Sequence, residues 1–213
     1  MLLLLDNGSA YSDELESRLS SLGCALERLA PRRLGASDLG SYSAFVLSGR
    51  SAPDRAANVA NARAVAHARA AGAPLLGVCY GAEVLALCCG GTLRRMASPR
   101  RGMRTVRLGP PGGPCAGEIE AYESHAYEIA RLPGGMECLA SSDECAVEAL
   151  HAAGTRMYGT QFHPEMSSDG AALLGAFVRM AFGGPAERGH LCDGIFERPA
   201  RGRGAKRPGG RAD

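Results

Sequence analysis

The sequence predicts an α/β fold: an open, mostly parallel sheet with helices on both faces and a small antiparallel extension. Three observations carry this. Short apolar runs alternate with segments of helical character, the pattern of βαβ units. Several runs end in turn clusters, "DNGS", "LSGR" and "GVCYG", and open parallel sheets bind ligands beyond the carboxyl ends of their strands. Between about residues 103 and 150 the helical pattern gives way to strand-like segments.

Each element follows in order. "LLLL" (2–5) is a buried first strand closed by Asp6-Asn7-Gly8-Ser9. "SDELESRLSSLG" sets Leu15, Leu19 and Leu22 at helical spacing, with Ser12 or Asp13 as cap and Gly23 as stop. "AFVLSG" (44–49) is a short buried strand, and the alanine-rich stretch 54–72 is a helix closed by Gly72 and Pro74. "PLLGV" is the next strand, and "AEVLALCC" opens a helix that stops at Gly90-Gly91. "RTVRLG", "MECLASS" and "AVEAL" supply the antiparallel part. "RMYGTQFHPE" returns as a strand, and "DGAALLGAFVRMAFG" is a closing amphipathic helix. Residues 1–183 then form one domain, and the Gly/Pro/Arg-rich stretch 184–213 is expected to be a disordered basic tail. Such a tail can touch nucleic acid, but a solvated tail is the simpler reading.

Composition narrows the class. A chain of 213 residues with 46% hydrophobic content suits one α/β domain with a tail, and a formal charge of +2 indicates no particular partner. Eight cysteines in a chain this long, with no secretory signal before them, do not suggest a disulfide scaffold, and without a CxxC pair and with five scattered histidines a structural zinc site is not expected. "MLLLLDNGS" lacks the basic n-region of a secretory signal. No apolar run approaches the roughly 20 residues of a membrane span. A reduced, cytoplasmic protein is expected.

The chemistry concentrates in two stretches. In "GVCYG", Cys79 stands between Gly77 and Gly81 where a strand turns into a helix, as in a nucleophile elbow. The helix N-terminus favours a thiolate, and the Tyr80 N–H can help hold an oxyanion. A tight turn around a buried cysteine is the other reading of this motif. In "GTQFHPE", His163 and Glu165 lie two apart, so an extended backbone projects both to one side. The carboxylate can then fix the imidazole tautomer and raise its basicity. Alone, His163 reads as an ordinary satisfied histidine; with Cys79, the pair supplies a nucleophile, a base and an orienting group.

These motifs carry a resemblance. GVCYGAE (77–83), LSG (47–49), ESHAYEI (123–129) and GTQFHPE (159–165) occur in the order found in class I glutamine amidotransferases, and residues 1–182 resemble that family. The CYG form, the Ser-His segment before "LP" and "CLASSD" (138–143) are most similar to the amidotransferase subunits of GMP synthases. The resemblance implies a flavodoxin-like sheet and a glutaminase reaction. Cys79 attacks the glutamine side-chain amide to give a γ-glutamyl thioester, His163 protonates ammonia and then activates water, and Glu165 orients His163. It further implies an oxyanion hole from the N–H groups of Gly49 and Tyr80, and a glutamine pocket lined by Glu83, Ser124 and His125. No cofactor or metal is implied in this chain. Ammonia would pass in trans to an ATP-pyrophosphatase (synthetase) subunit carrying ATP and magnesium, most simply for amination of xanthylate to GMP.

The chain departs from the family pattern at four places. Glu83 stands where glutamine is usual, Arg50 replaces the second glycine of an SGG loop, and Tyr127 replaces an aspartate. "SPRRGMRTV" (98–106) lacks a glutamate-glycine pattern. Glu83 keeps open a stand-alone γ-glutamyl hydrolase or an amidotransferase for another acceptor. Arg50 and Tyr127 keep open a catalytically silent subunit of the same fold. Arg50 also suggests an oxyanion loop that flips into place when a partner docks, and hence a nearly inactive free chain. Cys88 and Cys89 are expected in the core, Cys115, Cys138 and Cys145 as free thiols, and His67 and His151 as exposed. Glu118, Glu120 and Glu123 are expected on the outer face of a strand rather than at a metal. Arg100, Arg101 and Arg104 are expected in a solvated loop or facing an acidic partner.

Overall fold

The computed structural model describes residues 1–35, 38–109 and 116–183. The expected tail (184–213) and Cys115 lie outside the described residues. The strands are β1 (Leu2–Leu5), β2 (Leu26–Leu29), β3 (Ala44–Leu47), β4 (Leu75–Val78), β5 (Thr92–Leu108), β6 (Gly117–Arg131), β7 (Met136–Ser141), β8 (Ala149–Ala152) and β9 (Met157–Thr160). The α-helices are α1 (Ser12–Ser21), α2 (Arg55–Ala71), α3 (Tyr80–Cys88) and α4 (Ser168–Phe182). All strands join one sheet in the order β2-β1-β3-β4-β9-β8-β7-β5-β6. Its first five strands are parallel, in flavodoxin order, and the rest pair antiparallel. The expected architecture is therefore present, antiparallel extension included.

The apolar runs are buried because β1, β3, β4 and β9 are covered on both sides, while β2 at the sheet edge is only partly buried. Leu2, Leu4, Ala44, Val46, Leu76 and Val78 face a core shared with α1 and α4. Their alternates Leu3, Leu5, Phe45 and Leu47 face α2 and α3 through Ala60, Ala64, Ala68, Leu85 and Ala86. Alanine on α2 lets that helix lie close to the sheet. The α2 ends are fixed by Asp54, whose carboxylate accepts from the Ala56 N–H at 2.8 Å, and by Gly72 in the left-handed region at φ 63°.

Several local expectations are corrected. α1 starts after Tyr11, and neither Ser12 nor Asp13 caps it: the Ser12 hydroxyl instead donates to Asp6 in the preceding turn. Leu22 is exposed beyond the helix end. Cys88 is exposed and Cys89 half-buried, because they lie at the α3 C-terminus where the helix leaves the sheet. His151 is buried on β8, stacked on Tyr158 at 4.4 Å, rather than exposed in a turn. His67 is half-buried, edge-on to Phe45. Residues 98–106 form no loop: they belong to β5, paired along β6, and Arg100 and Arg104 both reach Glu144. Cys138 and Cys145 are free thiols as expected.

Candidate active site

The turns after β1, β3, β4 and β9 converge at the carboxyl edge of the parallel sheet. The turn after β4 is the sharpest. Cys79 has φ 51° and ψ −106°, the one positive φ among the described non-glycine residues. A Cβ at Gly77 would lie 2.5 Å from the Gly81 carbonyl, and one at Gly81 would strike the Leu47 backbone. The two glycines are there because β4, α3 and β3 approach too closely for any side chain. The strained turn holds Cys79 at the start of α3, its N–H bonded to the Thr160 carbonyl at 2.7 Å.

His163 and Glu165 come from the turn after β9. Nδ1 of His163 lies 2.8 Å from Oε1 of Glu165, and both side chains are buried. That contact makes Nδ1 the protonated nitrogen and leaves Nε2 as the free lone pair. Gly49 relates this pair to the cysteine: a Cβ at Gly49 would fall 2.9 Å from Cε1 of His163 and 3.6 Å from Cβ of Cys79. The imidazole and the thiol thus border one small space, with the Gly49 backbone as its wall. Opposite, the Ser124 carbonyl is 3.8 Å from the Cys79 sulfur.

The loop whose geometry Arg50 put in question needs no glycine there, since Arg50 stays outside the left-handed region. Its guanidinium instead sits 3.9 Å over the Tyr80 ring, and Arg50 and Tyr80 both donate to Oδ1 of Asn58 at 3.0 and 2.7 Å. This clamp joins the two segments that carry the Gly49 and Tyr80 N–H groups.

Electrostatics reverse one expectation. Burial pushes the Cys79 thiol far above its ordinary range, and the charges of Glu83, Glu165 and Glu123 add to this; the Tyr80 N–H opposes them. The neutral thiol is therefore the resting form, despite the helix N-terminus. Glu83 is buried, receives the Gln161 amide at 3.3 Å, and is itself raised by burial.

Tyr11 was not singled out by sequence. Its ring stands edge-on to His163 at 4.6 Å, and its hydroxyl reaches Ser124 Oγ at 3.2 Å and the Tyr122 hydroxyl at 3.4 Å. The "DNGS" turn was a legible signal for the region, but Tyr11 itself follows it by two residues. The second finding is acidic. Glu118 and Glu120 are exposed as expected, but Glu123 is buried beside His125 and Glu148. His125 is turned toward Glu123, with Nε2 at 2.6 Å from Oε2. Burial pushes Glu148 up to about 8, with the Glu123 charge adding to it.

The fold is a flavodoxin-like sheet, and its carboxyl edge brings Cys79, His163 and Glu165 into one small space. The family model for "Glutamine amidotransferase class-I" matches residues 3–179, and the chain belongs to that family. One subunit of the glutamine-hydrolyzing GMP synthase of Methanocaldococcus jannaschii is 30% identical over 78% of this chain and 89% of its own. A GMP synthase of Leifsonia xyli is 35% identical over 54% of this chain, which spans only 25% of that longer protein. Among solved structures, a GMP synthase subunit protein of Thermoplasma acidophilum matches with TM-score 0.73 and 25% identity, covering 91% of this chain and 94% of its own. A glutamine amidotransferase of Thermotoga maritima shares the fold at TM-score 0.66 and 17% identity, over 79% of this chain and 77% of its own.

Proposed function

We propose that this chain is a glutaminase that hydrolyses glutamine through a Cys79 thioester and delivers ammonia to a separate synthetase subunit. The observation that carries the reading is the shared wall at Gly49, which brings the strained Cys79 and the Glu165-oriented His163 into one space. In the reaction, His163 Nε2 takes the thiol proton as the sulfur attacks the side-chain amide. The same proton goes to the leaving ammonia, and His163 then activates water against the thioester. Glu165 stabilises the imidazolium that forms. The Gly49 and Tyr80 N–H groups hold the oxyanion, and Glu83 and Ser124 line the glutamine pocket. ATP and magnesium belong to the synthetase.

Xanthylate is the acceptor we favour, because the similarity extends over nearly the full length of a GMP synthase subunit. The resting neutral thiol supports a gated enzyme: the free chain turns over slowly until substrate and partner draw the proton to His163. Glu83 is the observation behind a second reading, a hydrolase acting on γ-glutamyl compounds without a partner.

A chloroketone analogue of glutamine tests the pocket directly. Peptide mapping should find it on Cys79 ahead of Cys88 and Cys138, although those two are the exposed thiols among the described residues, and glutamine should protect. Labelling that merely follows exposure would remove the glutaminase reading and leave a chain of this fold without catalysis.

A further inference from the structure

At the amino edge of the parallel sheet, opposite the active site, an open groove of about 670 Å³ lies between the segment entering β2 and the end of α4. Met1, Leu22, Val178 and Phe182 line it, together with Cys24. Gly175 keeps it deep, because a Cβ there would stand 3.6 Å from Cδ2 of Leu22. Seven large apolar side chains are exposed among the described residues, and Met1, Leu22 and Phe182 are three of them. One exposed apolar residue is ordinary, whereas three gathered around a groove mark an interaction site.

The chain itself carries a segment suited to this groove. α4 ends at Gly183, which lines the same groove. Gly183 is left-handed at φ 75°, and its N–H donates to the Arg179 carbonyl at 2.8 Å. That cap turns the chain off the helix axis, and Gly184-Pro185 keep the helix from resuming. Further on, "HLCDGIF" (190–196) gathers Leu191, Ile195 and Phe196, and the rest of 184–213 has no other Leu, Ile, Val, Met or Phe. Leu191 follows Gly183 by eight residues, a reach of up to about 26 Å in extended chain. On so short a tether the segment stands at an effective concentration on the order of millimolar, far above that of a second molecule in dilute solution.

We propose that this groove is the docking site for residues 191–196 of the same chain. Leu191, Ile195 and Phe196 cover Met1, Leu22, Val178 and Phe182, and Cys192 comes beside Cys24. The driving force is the removal of apolar surface from water on both partners. Docked there, the segment fastens the chain beyond α4 to the amino edge of the sheet and leaves the carboxyl edge, with Cys79, open. The proposal therefore stands independently of the glutaminase reading.

Cys24 and Cys192 are a native probe of this docking. The test uses the full chain with Cys88→Ser and Cys138→Ser, which removes the exposed thiols of the described residues. Brief oxidation with copper–phenanthroline joins neighbouring thiols as a disulfide, their two protons and two electrons passing to the oxidant. Peptide mapping should find a Cys24–Cys192 bridge in the band of monomer mass on a non-reducing gel. Adding Phe196→Asp should slow that bridge by at least about tenfold and lower Tm by about 2 °C or more, the scale of one buried aromatic side chain. The same bridge in a band of dimer mass would overturn the proposal and make a second copy the occupant. Absence of the bridge, or its formation at an unchanged rate with Phe196→Asp, would also overturn it.

Discussion

Cys79 holds a backbone conformation that L-residues avoid, at a cost of about 1–3 kcal/mol, and the surrounding packing keeps it there. The strain points its side chain to the Gly49 wall rather than into α3. Function at this scale depends on the neighbour that aligns the base. Glu165→Gln keeps the size of the side chain and removes the charge that fixes His163. Glutamine hydrolysis should fall by about 10²–10⁴-fold, measured as steady-state ammonia release, with the melting temperature essentially unchanged. Retention of more than a tenth of the activity would remove Glu165 from the proposed triad. The residues legible in the sequence were those whose partners sit close along the chain: Cys79 with its glycines, His163 with Glu165. Tyr11, Glu123 and Glu148 were not legible, because their roles arise from contacts across distant segments. Tyr11 reaches Ser124 at a separation of 113 residues.

The elements set the spacing that this chemistry needs. α3 lies against β3, β4 and β9 at backbone contact, which is why Gly77, Gly81 and Gly159 have no side chains: a Cβ at Gly159 would meet Cβ of Ala82 at 2.8 Å. Gly81→Ala forces α3 away from Leu47, and the atom it meets is backbone, which cannot swing aside. Unfolding in urea should show a loss of about 1–3 kcal/mol, and Cys79 should lose its labelling by the glutamine analogue. Full stability with intact labelling would contradict the close approach of helix and sheet. Strands buried on both faces were readable as unbroken apolar runs. The β5–β6 pair was not, because much of β5 is solvent-exposed and carries arginines in no simple alternation. The Cys88–Cys89 error has the same root: an apolar helix reads as buried along its whole length, but only its first two turns touch the sheet.

The whole molecule gathers its candidate groups on one edge, where turns from four parallel strands meet a wall from the antiparallel extension. In that arrangement β6 brings the Ser124 carbonyl to 3.8 Å from the Cys79 sulfur and holds Glu123 and His125 in the buried cluster behind it. The order of the parallel strands was foreseeable from alternating elements, whereas a sheet continuing through four more strands depended on pairings between distant segments. The central claim is a glutaminase whose resting thiol is neutral and whose turnover is coupled to a synthetase. Ammonia release from glutamine measures this most directly, with the purified chain and its Cys79→Ala variant, each alone and with an ATP-pyrophosphatase chain, ATP, magnesium and xanthylate. Little release is expected from the free chain, a large rise with the complete mixture, and none from Cys79→Ala in either setting. Equal release with and without the synthetase would contradict the coupling, and silence of the folded chain in both settings would contradict the glutaminase itself.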